Sequence, residues 1–122
     1  AEKEREIVRL ANQFEVEIPA NPSKEFAPMT WDEARELDGN LVKIESHTVT
    51  HPILPNVDVK QLEFELTESK GKLEKEIGRE MKIFCYPDGG CDEKVRNAAE
   101  AANYDCAVTT EFGFNDEQDD LF

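Results

Sequence analysis

Basic residues are scarce in this chain: 14 Lys and Arg stand against 28 Asp and Glu, a formal net charge of −14 over 122 residues. A surface of that sign repels phosphates, which excludes nucleic acid as a partner and argues against an anionic membrane surface. It carries no information about fold. Long apolar runs are missing too. Nothing approaches the ~20 residues that cross a bilayer, so no membrane span is expected. The opening segment AEKEREIVRL is charged and lacks the apolar centre of a signal peptide. Cysteine is limited to Cys85, Cys91 and Cys106, an odd number that excludes a complete disulfide framework. One bridge plus a free thiol, or three reduced thiols, both satisfy that count. Asn21-Pro22-Ser23 has the spacing of a glycosylation acceptor, but its proline disqualifies it. Hydrophobic residues make up 39%, enough for a packed core and too many for a disordered chain. The length suits one small domain or a piece of a larger one, and we read 1–122 as a single partial domain.

Periodicity organises the rest. Residues 2–14 read as a helix with Ile7, Leu10, Ala11 and Phe14 on one face. Pro19, Pro22 and Pro28 make the next stretch a loop. Thr30 and Glu33 form a capping box for a helix that Gly39 and Asn40 stop. Leu41 to Ser46 alternates and is rich in β-formers, so a strand is expected there. A long helix from about Asp58 to Ile77 carries the stripe Val59, Leu62, Leu66, Leu73 and Ile77, with its Glu and Lys facing solvent. Met81 to Tyr86 is a second strand. Asp92 caps a helix that turns Val95, Ala98, Ala99 and Ala102 inward, and DCAVTT is a third strand. Strands alternating with helices imply an α/β fold with parallel pairing. Three such strands leave both faces and both edges uncovered, which points to part of a larger barrel or sheet.

The only two histidines, His47 and His51, lie four positions apart in IESHTVTHP. On a helix they would share a face, but Thr48, Val49 and Thr50 are β-branched and Pro52 pushes His51 out of the helical region. The pair therefore sits where a strand runs out into a loop, the end at which α/β folds build sites. Both imidazoles can turn toward one ion, with Thr48 and Thr50 orienting the rings and a carboxylate from elsewhere as third ligand. The bland alternative is a strand-end histidine beside a solvated one.

The flanking residues resemble a known family. S-H-T-V-T-H-P after a capped TWDE helix resembles the second motif of polysaccharide deacetylases, the NodB-homology group or carbohydrate esterase family 4. IFCYPDGG resembles the third motif, and NYDCAVTT a later strand of the family. The resemblance runs from about Met29 to Asn115. It implies a distorted (β/α) barrel, seven-stranded when whole, of which this chain is a part. It implies a divalent metal, most often zinc, held by His47 and His51 together with an aspartate of the first motif. It implies hydrolysis of acetyl groups from N-acetylated carbohydrate polymers, a carbon–nitrogen bond other than a peptide bond. The backbone amide of Asp88 would help hold the oxyanion, and Tyr86 and Pro87 would wall the substrate site. An acetylated polysaccharide or oligosaccharide is the implied partner, and an oligomer could complete the barrel. Such proteins act at the cell surface, in the periplasm or outside the cell.

The sequence also departs from the pattern. No T-F-D-D-G stretch occurs, so the first motif, with its base and metal aspartate, is missing, and no histidine follows His51 to serve the last motif. Cys85 stands where many members carry an arginine, and Asp88 where they carry an aromatic residue. The rival reading is a non-catalytic module that binds glycan or a partner on a degenerate fold. Trp31 is expected to pack on the core rather than stack on sugar. Asp92 is read as an N-cap, and Gly89-Gly90 as a turn.

Overall fold

The computed structural model describes residues 2–21, 23–39, 42–113 and 120–122. Four helices and two strands follow in order: α1 (Glu2–Gln13), α2 (Trp31–Leu37), α3 (Val59–Ile77), β1 (Ile83–Cys85), α4 (Glu93–Ala101) and β2 (Cys106–Val108). Short 3-10 turns occupy Lys24–Phe26, Leu54–Asn56 and Pro87–Gly89.

The helix boundaries follow local chemistry. Thr30 and Glu33 form the expected reciprocal cap of α2: the Glu33 amide donates to the Thr30 hydroxyl at 3.3 Å, and the Thr30 amide to the Glu33 carboxylate at 2.7 Å. Asp58 and Asp92 cap α3 and α4 by accepting from the Gln61 and Val95 amides. Gly78, at φ +83°, ends α3 in the left-handed conformation that glycine adopts without penalty.

β1 and β2 pair in parallel, Phe84 opposite Ala107. The strand expected at 41–46 is not continuous. Leu41 and Asn40 lie outside the described residues, and what remains is two isolated parallel bridges, Asp38 with Val42 and Ser46 with Phe84. Side chains take the place of the missing ladder: Glu45 accepts from the Lys82 and Ile83 amides at 2.9 and 3.0 Å. Ser46 therefore enters the sheet beside β1 as one residue. The α/β class with parallel pairing stands; a closed barrel is not seen among the described residues.

The core lies between this sheet and the faces of α3 and α4. Leu54, Leu62, Leu66, Met81, Phe84, Tyr86, Val95, Ala99 and Tyr104 are all buried in one cluster. Each large aliphatic or aromatic side chain there contributes roughly 2 kcal/mol. The α3 stripe is only partly as expected: Leu62 and Leu66 are buried and Leu73 and Ile77 half-buried, but Val59 is 68% exposed. Val59 is the first residue of α3 and lines an open cleft between α3 and α4 with Leu66, Ala98 and Ala102. Trp31 does not join the core either; it is exposed, with the Lys72 ammonium 5.5 Å from its ring centre. α1 buries no residue, so its apolar face, Ile7 and Leu10 with Phe14 just past its end, meets no core here. The acidic run at 115–119 lies outside the described residues, while Leu121 accepts from the Ala107 amide at 2.7 Å.

Candidate active site at the strand ends

The parallel strands all end on one side, and the predicted site residues gather there. Ser46 is followed by His47, β1 by Tyr86 and the Pro87–Gly89 turn, and β2 by Thr109 and Thr110. The imidazoles of His47 and His51 meet edge to face, with centroids 4.8 Å apart. Both residues are exposed. His47 Nδ1 lies 2.7 Å from the Cys85 carbonyl oxygen. A carbonyl can only accept, so Nδ1 carries the proton and Nε2 of the neutral ring keeps its lone pair.

The segment between the histidines is tightly turned. Thr48 and His51 both hold positive φ, +67° and +54°. The His51 amide donates to the Thr48 hydroxyl at 3.1 Å. The expectation that Thr48 and Thr50 would orient the rings needs correcting: Thr48 closes the turn, and Thr50 bonds a residue of α3. That residue is Glu65, which is completely buried. Its Oε2 accepts from the Val49 amide at 2.7 Å and the Thr50 amide at 2.9 Å, and its Oε1 accepts from the Thr50 hydroxyl. Burial alone would push the Glu65 carboxyl up, but the Thr50 hydroxyl and the two amides outweigh it and hold it below the usual carboxylate range. Sequence reading had placed the acidic residues of α3 in solvent. Glu65 escaped because its charge masked its position: it lies within the series Leu62, Leu66 and Ser69, at helical spacing on the buried face.

A second arm anchors the same loop from below. Leu54, just past His51, is fully buried in the core, and Lys94 of α4 donates to the Pro55 and Val57 carbonyls at 3.1 and 3.0 Å. Ser46 joins α3 through its hydroxyl, 2.7 Å from that of Ser69.

On the other side of the site, Tyr86 and Pro87 are buried and Asp88 is exposed. Asp88 takes φ +55°, and its carbonyl faces the Thr110 hydroxyl at 3.4 Å. Gly89 adopts φ +70° because nothing larger fits: a Cβ there would overlap the Thr110 hydroxyl and lie 2.7 Å from its amide nitrogen. Asp92 caps α4 as expected. All three cysteines are free thiols. Burial pushes the Cys85 thiol up, and the Glu45 charge adds to it, so Cys85 has none of the low-pKa character of a nucleophile. A cleft of 510 Å³ opens beside His47, lined by Trp31, Thr48, Phe64, Glu68, Lys72 and Leu73 among others.

Two imidazoles holding one ion at about 2.1 Å each would have centroids about 5 Å apart, close to the observed spacing. The donor types and separation therefore fit a divalent cation on two sides. No group of three His, Cys, Asp or Glu able to hold a metal occurs among the described residues.

The family model for polysaccharide deacetylases matches residues 5–107. This chain belongs to the polysaccharide deacetylase family. The match reaches back into α1, beyond the motif resemblance that begins near Met29. The chain is 32% identical over 85 residues to the Bacillus subtilis (strain 168) protein named "Putative polysaccharide deacetylase YxkH", covering 70% of this chain and 30% of that one. Among solved structures, it is similar to a polysaccharide deacetylase from Bacillus cereus, with TM-score 0.68 and 32% identity over 80% of this chain and 31% of that one. It is also similar to the deacetylase PplD of Streptococcus pyogenes in complex with acetate, with TM-score 0.69 and 27% identity over 74% of this chain and 40% of that one. The chain thus spans less than half the length of each of these polysaccharide deacetylases.

Proposed function

We propose that this chain serves in the metal-dependent deacetylation of an N-acetylated carbohydrate polymer, with His47 and His51 as two ligands of a divalent cation, most simply zinc. The observation that carries this reading is the 4.8 Å pairing of the two rings where the parallel strands end. Membership of the family supports an acetylated polysaccharide as the substrate class. A cation held there would act as a Lewis acid and lower the pKa of a water. His47 would present Nε2, because its Nδ1 is committed to the Cys85 carbonyl. The Asp88 amide would donate to the developing oxyanion, and the buried Tyr86 and Pro87 would hold that turn in place. Strands supplied by further chain or by a second copy would close the barrel. Acetylated wall or surface glycans as substrate would place the work at the cell surface, in the periplasm or outside the cell.

A second reading has one observation behind it. Asp88 is exposed and adds a charge where the family resemblance implies an aromatic residue, which suits binding a glycan or a partner without hydrolysis.

The deciding experiment measures zinc binding by titration calorimetry and acetate release from N-acetylated chito-oligosaccharides, with His47→Ala and His51→Ala as comparators. Stoichiometric zinc binding lost in both variants supports the metal reading; no binding by the parent chain overturns it. Acetate release by the 122-residue chain alone is expected to be slow, since its sequence has no T-F-D-D-G stretch to supply a base.

A further inference from the structure

Thr48 and His51 are held in the left-handed region that side chains with a Cβ rarely adopt, and such backbone persists only where the surroundings over-determine it. His47 is fixed independently, through the Cys85 carbonyl. The position of the His51 ring relative to it therefore depends on what holds the turn between them. That support comes from α3: one carboxylate spans two consecutive amides and a hydroxyl of the turn. A glutamine could place its oxygen on the two amides and its NH2 on the Thr50 hydroxyl, but it would lack the negative charge that strengthens all three bonds.

We propose that Glu65 is a positioning residue, whose buried carboxylate fixes the turn between His47 and His51 so that the two imidazoles face one another. The value of that positioning rests on reading the pair as cation ligands; the positioning itself does not. The hydrogen bonds of Glu65 to the loop go to Val49 and Thr50, and its carboxyl also receives the Gln61 side chain one turn back on α3. A general stabiliser of α3 would not need both carboxylate oxygens directed at one turn.

The test uses the 122-residue chain, labelled with 15N, as parent, Glu65→Gln, Thr50→Val and, as a control on the exposed side of α3, Glu63→Gln. Three quantities are read: the cross-ring nuclear Overhauser contact between His47 and His51 without metal, amide exchange at Val49 and Thr50, and the zinc dissociation constant. Glu65→Gln is expected to lose the cross-ring contact, to raise exchange at both amides about tenfold, and to weaken zinc about tenfold. Thr50→Val should move all three the same way by less, and Glu63→Gln none. A folded Glu65→Gln that keeps the ring contact and the amide protection overturns the proposal. If Glu65→Gln fails to fold, Thr50→Val decides by the same readouts. A parent that binds no zinc, with the ring contact still lost in Glu65→Gln, sinks the metal reading and leaves the positioning role standing. Zinc bound equally by parent and folded Glu65→Gln, with the ring contact kept, does the reverse.

Discussion

His47 Nδ1 stands 2.7 Å from the backbone carbonyl of Cys85, so a ring on one strand end is oriented by the main chain of the next. Because a main-chain oxygen does the orienting, the identity of residue 85 matters little to the ring. The neutral His47 ring is expected to carry its proton on Nδ1, visible in long-range proton–nitrogen correlation spectra. Cys85→Ala should leave that tautomer and the zinc affinity unchanged. A proton on Nε2 in the parent would refute the orientation.

The Arg79 guanidinium knits three segments together. It pairs with Asp38 at 2.6 Å and Glu45 at 2.9 Å and donates to the Ile44 carbonyl at 2.7 Å. Arg79, followed by the Ile44 amide, holds the Asp38 carboxyl far below the usual carboxylate range. A carboxyl depressed on folding contributes stability that is present above its unfolded value, about pH 4, and lost as pH falls below it. Arg79→Met should lower the melting temperature by at least about 5 °C at pH 7 and flatten the acid limb of the stability curve. Thermal unfolding at pH 3 to 7 checks both.

Two buried tyrosines should answer differently to loss of a hydroxyl. Tyr104 donates to the Leu66 carbonyl at 2.9 Å, so Tyr104→Phe loses that bond, leaving the carbonyl the Ser69 hydroxyl at 3.1 Å, and should cost about 1 kcal/mol. The Tyr86 hydroxyl is buried with no partner among the described residues, so Tyr86→Phe should be neutral or stabilising. Burial pushes the Tyr86 hydroxyl up to about 12. Stability from that shift is fully present below about pH 10, where an unfolded tyrosine ionises, and is lost as pH climbs through 12. Tyr86→Phe should therefore resist alkaline unfolding better than the parent, as followed by circular dichroism.

Gly89→Ala forces a Cβ against Thr110 at a positive φ. It should cost about 2 kcal/mol in urea unfolding and displace the segment after β2. Asp88→Gly, at φ +55°, relieves an unfavourable conformation and should cost little. Equal stability of Gly89→Ala and parent would show that the turn yields.

Local signals in the sequence settled a good deal. The caps at Thr30 and Asp92 were legible because each rests on side chains within a few residues of the backbone they satisfy. The family was legible because short motifs of residue type and spacing carry the resemblance, and the family model matches residues 5–107. Tertiary structure alone decided the rest. Residues 42–46 look like a strand by alternation, yet pairing needs a partner ladder, and among the described residues only Val42 and Ser46 make isolated bridges, Ser46 alone to β1. Glu65 looks like a solvated acid, yet three donors from a loop fifteen residues upstream make its burial tolerable. Sequence by itself thus determined where helices start and stop and to which family the chain belongs. What holds the His47 and His51 rings together depends on a carbonyl 38 residues from one of them and a carboxylate inside a helix, contacts that exist only once the chain has folded.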